Sequence, residues 1–325
     1  MKSRAAWALP ACVLGALAVA LLVGAEPASL SRALADPTSL DREVIFQLRA
    51  PRALLAFLAG AGLAGAGAAL QGTLRNPLAE PYLLGVSGGA ALGATGVVVL
   101  GLSSATLVGA ALMPLSALAG GLLATMAVLA LAGASRGRSD RVVLGGVVIN
   151  TIAAGLVTVG KTLTRDSKTQ ELLYWLTGYI DLPSKTDLVL LALYVAIGLG
   201  LLLYDAPRLD VLVLGRQKAE SLGVRPARVE MRVFVAASLL TGAIVSQTGL
   251  IGFVGLVVPH ASRFVVGPHM RKLLPTAALL GGAFLVLCDG ISRLLFRVLH
   301  TELPVGAVTA LVGGPVFLWL LRRRS

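Results

Sequence analysis

The sequence predicts an all-α polytopic integral membrane protein of about ten transmembrane helices, with both termini cytoplasmic. Three observations carry that prediction. Of 325 residues, 56% are apolar and only 14% charged, and the mean hydropathy is +0.85, which exceeds what a soluble domain needs for a core. The charged residues leave long empty intervals between them. The cations are also shared unequally between the two sides that those intervals define.

No Asp, Glu, Lys or Arg occurs between Arg4 and Glu26, Arg52 and Arg75, Glu80 and Arg136, Arg141 and Lys161, Asp187 and Asp205, Arg232 and Arg263, Lys272 and Asp289, or Glu302 and Arg322. A crossing helix needs about 20 apolar residues, so each interval holds at least one span. Residues 81–135 must hold two, split near Ser103 and Ser104, and residues 233–262 hold two broken near Thr248 and Gly249. The total is ten.

An even number of spans puts both ends on one side. With the termini inside, the inner segments carry 18 Lys and Arg against 6 acids, and the outer segments carry 10 of each. The formal charge of +12 is therefore explained by topology. Nucleic acid is not an expected partner, because scattered single aromatics offer no stacking platform beside a basic groove.

Taken in order, the first apolar run spans residues 5–25 and ends in Val23, Gly24 and Ala25, a small-residue end like a signal-peptidase site. Its length exceeds the roughly 7 to 15 apolar residues of a signal peptide, so it reads as the first helix. Arg49 and Arg52 flank Pro51 at the outer mouth of span two, where long cationic side chains can snorkel to the interface. Span two contains Gly60, Gly62 and Gly65, the GxGxxG spacing of a dinucleotide fold. That fold needs a strand before the motif, whereas here small residues serve close packing of membrane helices.

Gly155 to Thr162 likewise satisfies GxxxxGK[ST]. A phosphate loop needs exposed amides between strand and helix, but these residues belong to span five, where the amides are bonded internally. Lys161 falls on the outer side, away from cytoplasmic ATP. Residues 165–187 form an outer segment with Tyr174, Trp175 and Tyr179 as interfacial aromatics. Cys12 and Cys288 fall at opposite membrane ends, so no disulfide is expected.

Residues 205–232 form the longest polar interruption, with six basic and four acidic residues; Pro207, Gly215, Gly223 and Pro226 punctuate it into short pieces, with a short helical stretch around Arg216 to Leu222. This cytoplasmic loop is where a partner should dock. Further on, Gly249, Gly252, Gly255 and Pro259 argue against a continuous straight helix, and a discontinuous element lining a cavity is expected. His260 has no second His, Cys or carboxylate within two helical turns, so it reads as a structural, hydrogen-bonded histidine; no metal site and no catalytic residue is expected.

Four blocks then carry a family resemblance: Arg49 to Arg52 (RAPR), Gln71 to Ala90 (QGTLRNPLAEPYLLGVSGGA), Gly249 to His260 (GLIGFVGLVVPH) and Glu302 to Leu321 (ELPVGAVTALVGGPVFLWLL). In this order they resemble the FecCD-type permeases, the membrane subunits of ATP-binding-cassette importers for iron-siderophores, haem and vitamin B12. The resemblance implies one transmembrane permease domain over residues 1–325, in the bacterial inner (plasma) membrane. It also implies a homodimer with a second copy of the chain, two separate ATPase subunits that use ATP and Mg, and a periplasmic or lipid-anchored substrate-binding protein. This chain itself then binds no cofactor and is not an enzyme.

By the same resemblance, Arg49, Arg52 and Arg293 receive the binding protein, and Gly215, Arg216, Lys218, Ala219, Leu222 and Gly223 couple to the ATPase. Arg216 departs from the acidic residue usual in the family. Asn76, Leu78, Ser139 and Asp140 match cytoplasmic gate positions, although Asn76 and Pro77 on residues alone simply end a helix. Ferric siderophore is the expected cargo, with haem and cobalamin as alternatives. An ion-coupled secondary transporter is the weaker reading, because it normally needs ionisable groups near the bilayer midplane and only His260 could serve.

Overall fold

In a computed structural model, the described residues are 2–24, 27–102, 107–133, 139–164 and 166–322, and among them the regular structure is helical throughout. The helices are α1 (Lys2–Leu22), α2 (Leu30–Ala35), α3 (Leu40–Arg42), α4 (Ala50–Thr73), α5 (Val86–Val99), α6 (Leu107–Gly133), α7 (Ser139–Leu163), α8 (Asp166–Leu176), α9 (Lys185–Val213), α10 (Arg216–Ser221), α11 (Pro226–Thr248), α12 (Val254–Val266), α13 (Met270–Leu299) and α14 (Val305–Arg322). A π-helical turn, Glu43–Arg49, leads into α4.

Six helices are long and apolar enough to cross a membrane, and α1, α5, α12 and α14 contribute four shorter apolar stretches. These ten match the ten expected spans. The break expected near Thr248 and Gly249 falls there: α11 ends at Thr248, and α12 starts only at Val254. Ser103 and Ser104, the expected split between spans three and four, lie outside the described residues.

Helix α4 is the axis of the bundle. From Ala59 to Thr73 every residue is buried, and α13, α9, α11, α12 and α1 pack around it. Its small residues make this possible: a Cβ on Gly60 would stand 2.2 Å from the Gly281 carbonyl oxygen, so the α4 and α13 backbones touch there. Without a hydrophobic driving force inside lipid, such close van der Waals contact is what associates helices. By contrast α6, α7 and α9 leave apolar side chains such as Leu115, Leu156 and Leu193 exposed. Lipid or another chain must cover those faces.

The polar interruption at residues 205–232 is more helical than its sequence suggested. Helix α9 continues through Pro207 to Val213, and α11 already begins at Pro226. Proline removes one backbone hydrogen bond, but Ala206, Leu209 and Leu212 are buried, and the Asp205 carboxylate, 1% exposed, ties α9 to α11. It accepts from Arg232 Nε at 2.7 Å and Nη2 at 2.6 Å, and from Arg208 Nη1 at 3.0 Å. What remains irregular is the pair of short links on either side of α10.

Candidate functional site

The break between α11 and α12 is held by side chains from the segment after α4. Two glycines and no side-chain hydrogen-bonding group in Gly249 to Phe253 leave that backbone needing outside partners. Tyr82 supplies two: its hydroxyl accepts from Ile251 N at 2.8 Å and donates to Ile251 O at 2.9 Å. Glu80 Oε1 accepts from Phe253 N at 2.9 Å, at the start of α12 where the helix dipole favours an anion. Phe253 itself has φ +68°, a left-handed conformation rare for an aromatic residue and maintained only by its surroundings.

Gln71, 3% exposed in the last turn of α4, extends the clamp. Its Nε2 donates to Gly255 O at 3.3 Å and Leu256 O at 3.2 Å, while its Oε1 accepts from Arg263 Nη1 at 2.5 Å. The inner end of α4 and the whole of α12 are thus one hydrogen-bonded unit. Replacing Tyr82 by Phe should destabilise the chain by about 1–3 kcal/mol, because Ile251 is 1% exposed and its amide and carbonyl would be left unpaired away from water. Thermal unfolding of the purified variant measures this, and an unchanged midpoint would count against the clamp.

At the outer end, charges converge around Asp289 on α13. This carboxylate, 0% exposed, accepts from Arg52 Nε at 2.9 Å and Nη2 at 2.8 Å through one oxygen, and pairs with Arg293 Nε at 3.0 Å through the other. Arg52 also bonds Glu302, whose second oxygen accepts from the Tyr179 hydroxyl at 2.5 Å. Tyr174 donates to the Glu302 backbone carbonyl at 3.0 Å. Burial first, and then the Glu302 carboxylate, push the Tyr179 phenol above its ordinary range, so it remains a donor at physiological pH. Arg49, 5% exposed, donates to the carbonyls of Leu21 at 2.9 Å and Leu22 at 3.1 Å, capping the C-terminus of α1.

On the inner side, Gly215 at φ +112° and Gly223 at φ +78° turn the chain into and out of α10, using backbone conformations that a side chain would strain. Ala219 is fully buried beneath the helix, whereas Leu222 is 63% exposed and Lys218 faces outward. Arg216 turns back to its own chain, with Nη1 3.3 Å from Glu230 and Nε 3.7 Å from Glu220.

A family model described as the FecCD transport family matches residues 12–323. The chain belongs to that family. It is 41% identical to the uncharacterized ABC transporter permease protein YvrB of Bacillus subtilis, over 86% of this chain and 79% of that one. It is also 41% identical to the cobalamin import system permease protein BtuC of Halobacterium salinarum, over 87% of this chain and 74% of that one. A solved structure described as an inward-facing conformation of a metal-chelate type ABC transporter superposes with a TM-score of 0.88 at 29% identity, covering 98% of each chain. This FecCD-family chain is a transport permease of the ATP-binding-cassette type and not an enzyme; the ATPase is a separate subunit.

Within this FecCD-family fold, the sequence-derived residues fall into three groups. Arg52 and Arg293 meet at Asp289, and Arg49 lies one turn before Arg52; all three are drawn into internal partners. The α10 residues stand together at the inner surface. Asn76 accepts from Leu78 N at 2.9 Å and so caps a turn, which leaves Leu78 50% exposed at its tip. Ser139 and Asp140 open α7, and their side chains lie outside the described ones.

Sequence reasoning assigned no role to Gln71, Glu80, Tyr82, Asp289 or Glu302, and it placed Tyr174 and Tyr179 only as interfacial aromatics. Two signals were present. Glu80 is a lone carboxylate ahead of 55 uncharged residues, and Asp289 precedes Arg293 by one helical turn.

Proposed function

We propose that this chain is the membrane permease of an importer that moves a metal chelate, a ferric siderophore above all, from a substrate-binding protein to the cytoplasm. The observation that supports this best is the match of both the whole sequence and the whole fold to permeases, including the metal-chelate type transporter that covers 98% of the chain. The whole chain acts as one transmembrane unit in the bacterial inner membrane. Two copies form a homodimer, and two ATPase subunits that use ATP and Mg sit beneath it. The exposed apolar faces of α6, α7 and α9 are consistent with lipid and partner contacts.

In this reading α10 couples to the ATPase through Lys218 and Leu222, with Gly215, Ala219 and Gly223 fixing its pose. Arg216 is neutralised by Glu230, which lessens the effect of its departure from an acid. Binding-protein docking runs through the outer network: an acidic group of the partner reaches Arg52 by competing with Glu302, and Arg49 and Arg293 set the surrounding positive field. Asn76 and Leu78, with Ser139 and Asp140, close the inner end as gate residues.

Reconstitution tests this directly. Vesicles containing the chain with a cognate ATPase and binding protein should take up labelled ferric siderophore in an ATP-dependent way, ahead of haem and cobalamin. The chain alone should neither hydrolyse ATP nor respond to a proton gradient. Uptake driven by a proton gradient without ATPase would overturn the reading.

A further inference from the structure

Lys161 belongs to a glycine-rich match, Gly155 to Thr162, that lies wholly within α7, and the structure gives it a different setting. Between α5, α7, the end of α8 and the helix break lies a cavity of about 410 Å³ whose walls include Ser87, Asn150, Thr158, Lys161, Leu176 and Leu250. Small-molecule sites run from about 300 to 1,000 Å³ and pair mostly apolar walls with a few placed polar groups. This cavity has that character.

The neutral polar groups in the wall are already committed. Asn150 Oδ1 accepts from Gly88 N at 3.0 Å and lies 3.4 Å from the Ser87 hydroxyl, and Asn150 Nδ2 donates to Tyr82 O at 2.9 Å. The Thr158 hydroxyl donates to Ala154 O at 2.9 Å. Lys161 differs from them. It is half-buried in the last turn of α7, at its outer end, and none of the ion pairs among the described residues involves its ammonium. A cation in a largely apolar wall attracts an anion more strongly than it would in water. A neutral occupant would strip it of water and give nothing back.

We propose that Lys161 is a specificity-determining residue of the transport path, contacting an anionic oxygen of the chelate and favouring anionic over neutral cargo. This rests on the importer reading above, and its test is independent of transport.

The purified full-length chain in nanodiscs of zwitterionic lipid would be titrated with an anionic ferric tris-catecholate and a neutral ferric tris-hydroxamate, following quenching of tryptophan fluorescence. Trp175 adjoins the lining residue Leu176 and serves as reporter. Lys161→Met should weaken catecholate binding about tenfold, the loss expected for one charge-assisted hydrogen bond. Lys161→Arg should restore it, and hydroxamate binding should weaken in neither variant, since Lys161→Met removes a charge that a neutral ligand would only desolvate. Equal catecholate affinity in Lys161→Met, equal weakening of both chelates, or no catecholate binding by the unmodified chain would overturn the proposal. So would loss of catecholate binding on adding phosphatidylglycerol, which would assign the ammonium to a lipid headgroup. Absence of ATP-driven uptake in vesicles, with this binding pattern intact, would instead count against the importer reading.

Discussion

Replacing Asp289 by alanine is expected to destabilise the chain by about 3–5 kcal/mol, the cost of removing one partner from a buried ion pair. The carboxylate is 0% exposed, and it pairs with Arg52 at 2.8 Å and with Arg293 at 3.0 Å. Arginine does not shed its proton, so both guanidiniums stay charged when Asp289 is gone. Arg52 keeps Glu302, but Arg293 is 6% exposed and loses its one ion pair among the described residues.

The double variant Asp289→Ala with Arg293→Met should therefore recover part of the loss, since it removes the stranded charge together with its partner. Thermal unfolding of the single and double variants in detergent gives the comparison. A loss below about 1 kcal/mol for Asp289→Ala would mean that the cluster behaves as a solvated surface pair. If the loss is large, the outer face owes its shape to internal charge pairing, and any acidic group of a docking partner must compete with Glu302 to reach Arg52.

That competition could not be read from the sequence. The ten spans were legible because charge-free intervals reflect the cost of putting ions in hydrocarbon, which acts on each segment separately. The break after Thr248 was legible because glycine and proline act locally on the backbone. The partners were not: Arg52 and Asp289 are 237 positions apart, and Glu80 meets Phe253 across 173. Nothing local in either segment marks the other. Where a local signal existed, it also misled, since Pro207 suggested a loop and the buried face of α9 outweighed it. Arg49, Arg52 and Arg293 were found by the family resemblance, the first two inside a matching block, but their burial depends on neighbours that the resemblance does not specify.

Gly67 gives the second large effect. Here α4 crosses α12 glycine on glycine: a Cβ on residue 67 would stand 1.9 Å from the Gly255 carbonyl oxygen and 2.7 Å from its Cα. A Cβ on Gly255 would in turn meet Pro81 Cδ at 2.7 Å. These obstacles are backbone and ring atoms, which cannot rotate aside. Gly67→Ala must push α12 away, straining the bonds from Gln71 to Gly255 and Leu256 and from Phe253 to Glu80. Overpacking of this kind costs about 1–3 kcal/mol for one methyl, and Gly67→Val, with two more methyls at a backbone contact, should prevent folding.

Gly96 and Gly155 supply the controls, because an added Cβ at either meets nothing within 4 Å. Alanine there should change stability by no more than about 1 kcal/mol, and in the favourable direction if helix propensity decides. Gly155 is also the first glycine of the GxxxxGKT match. An unchanged Gly155→Ala variant beside a failing Gly67→Ala variant would show that Gly67 is kept for helix contact and that the first glycine of the span-five spacing serves no packing contact. Unfolding midpoints and the yield of monodisperse protein decide it. A Gly67→Ala variant as stable as the unmodified chain would mean that α12 is free to move against α4, and the clamp built from Gln71, Glu80 and Tyr82 would then not fix the break.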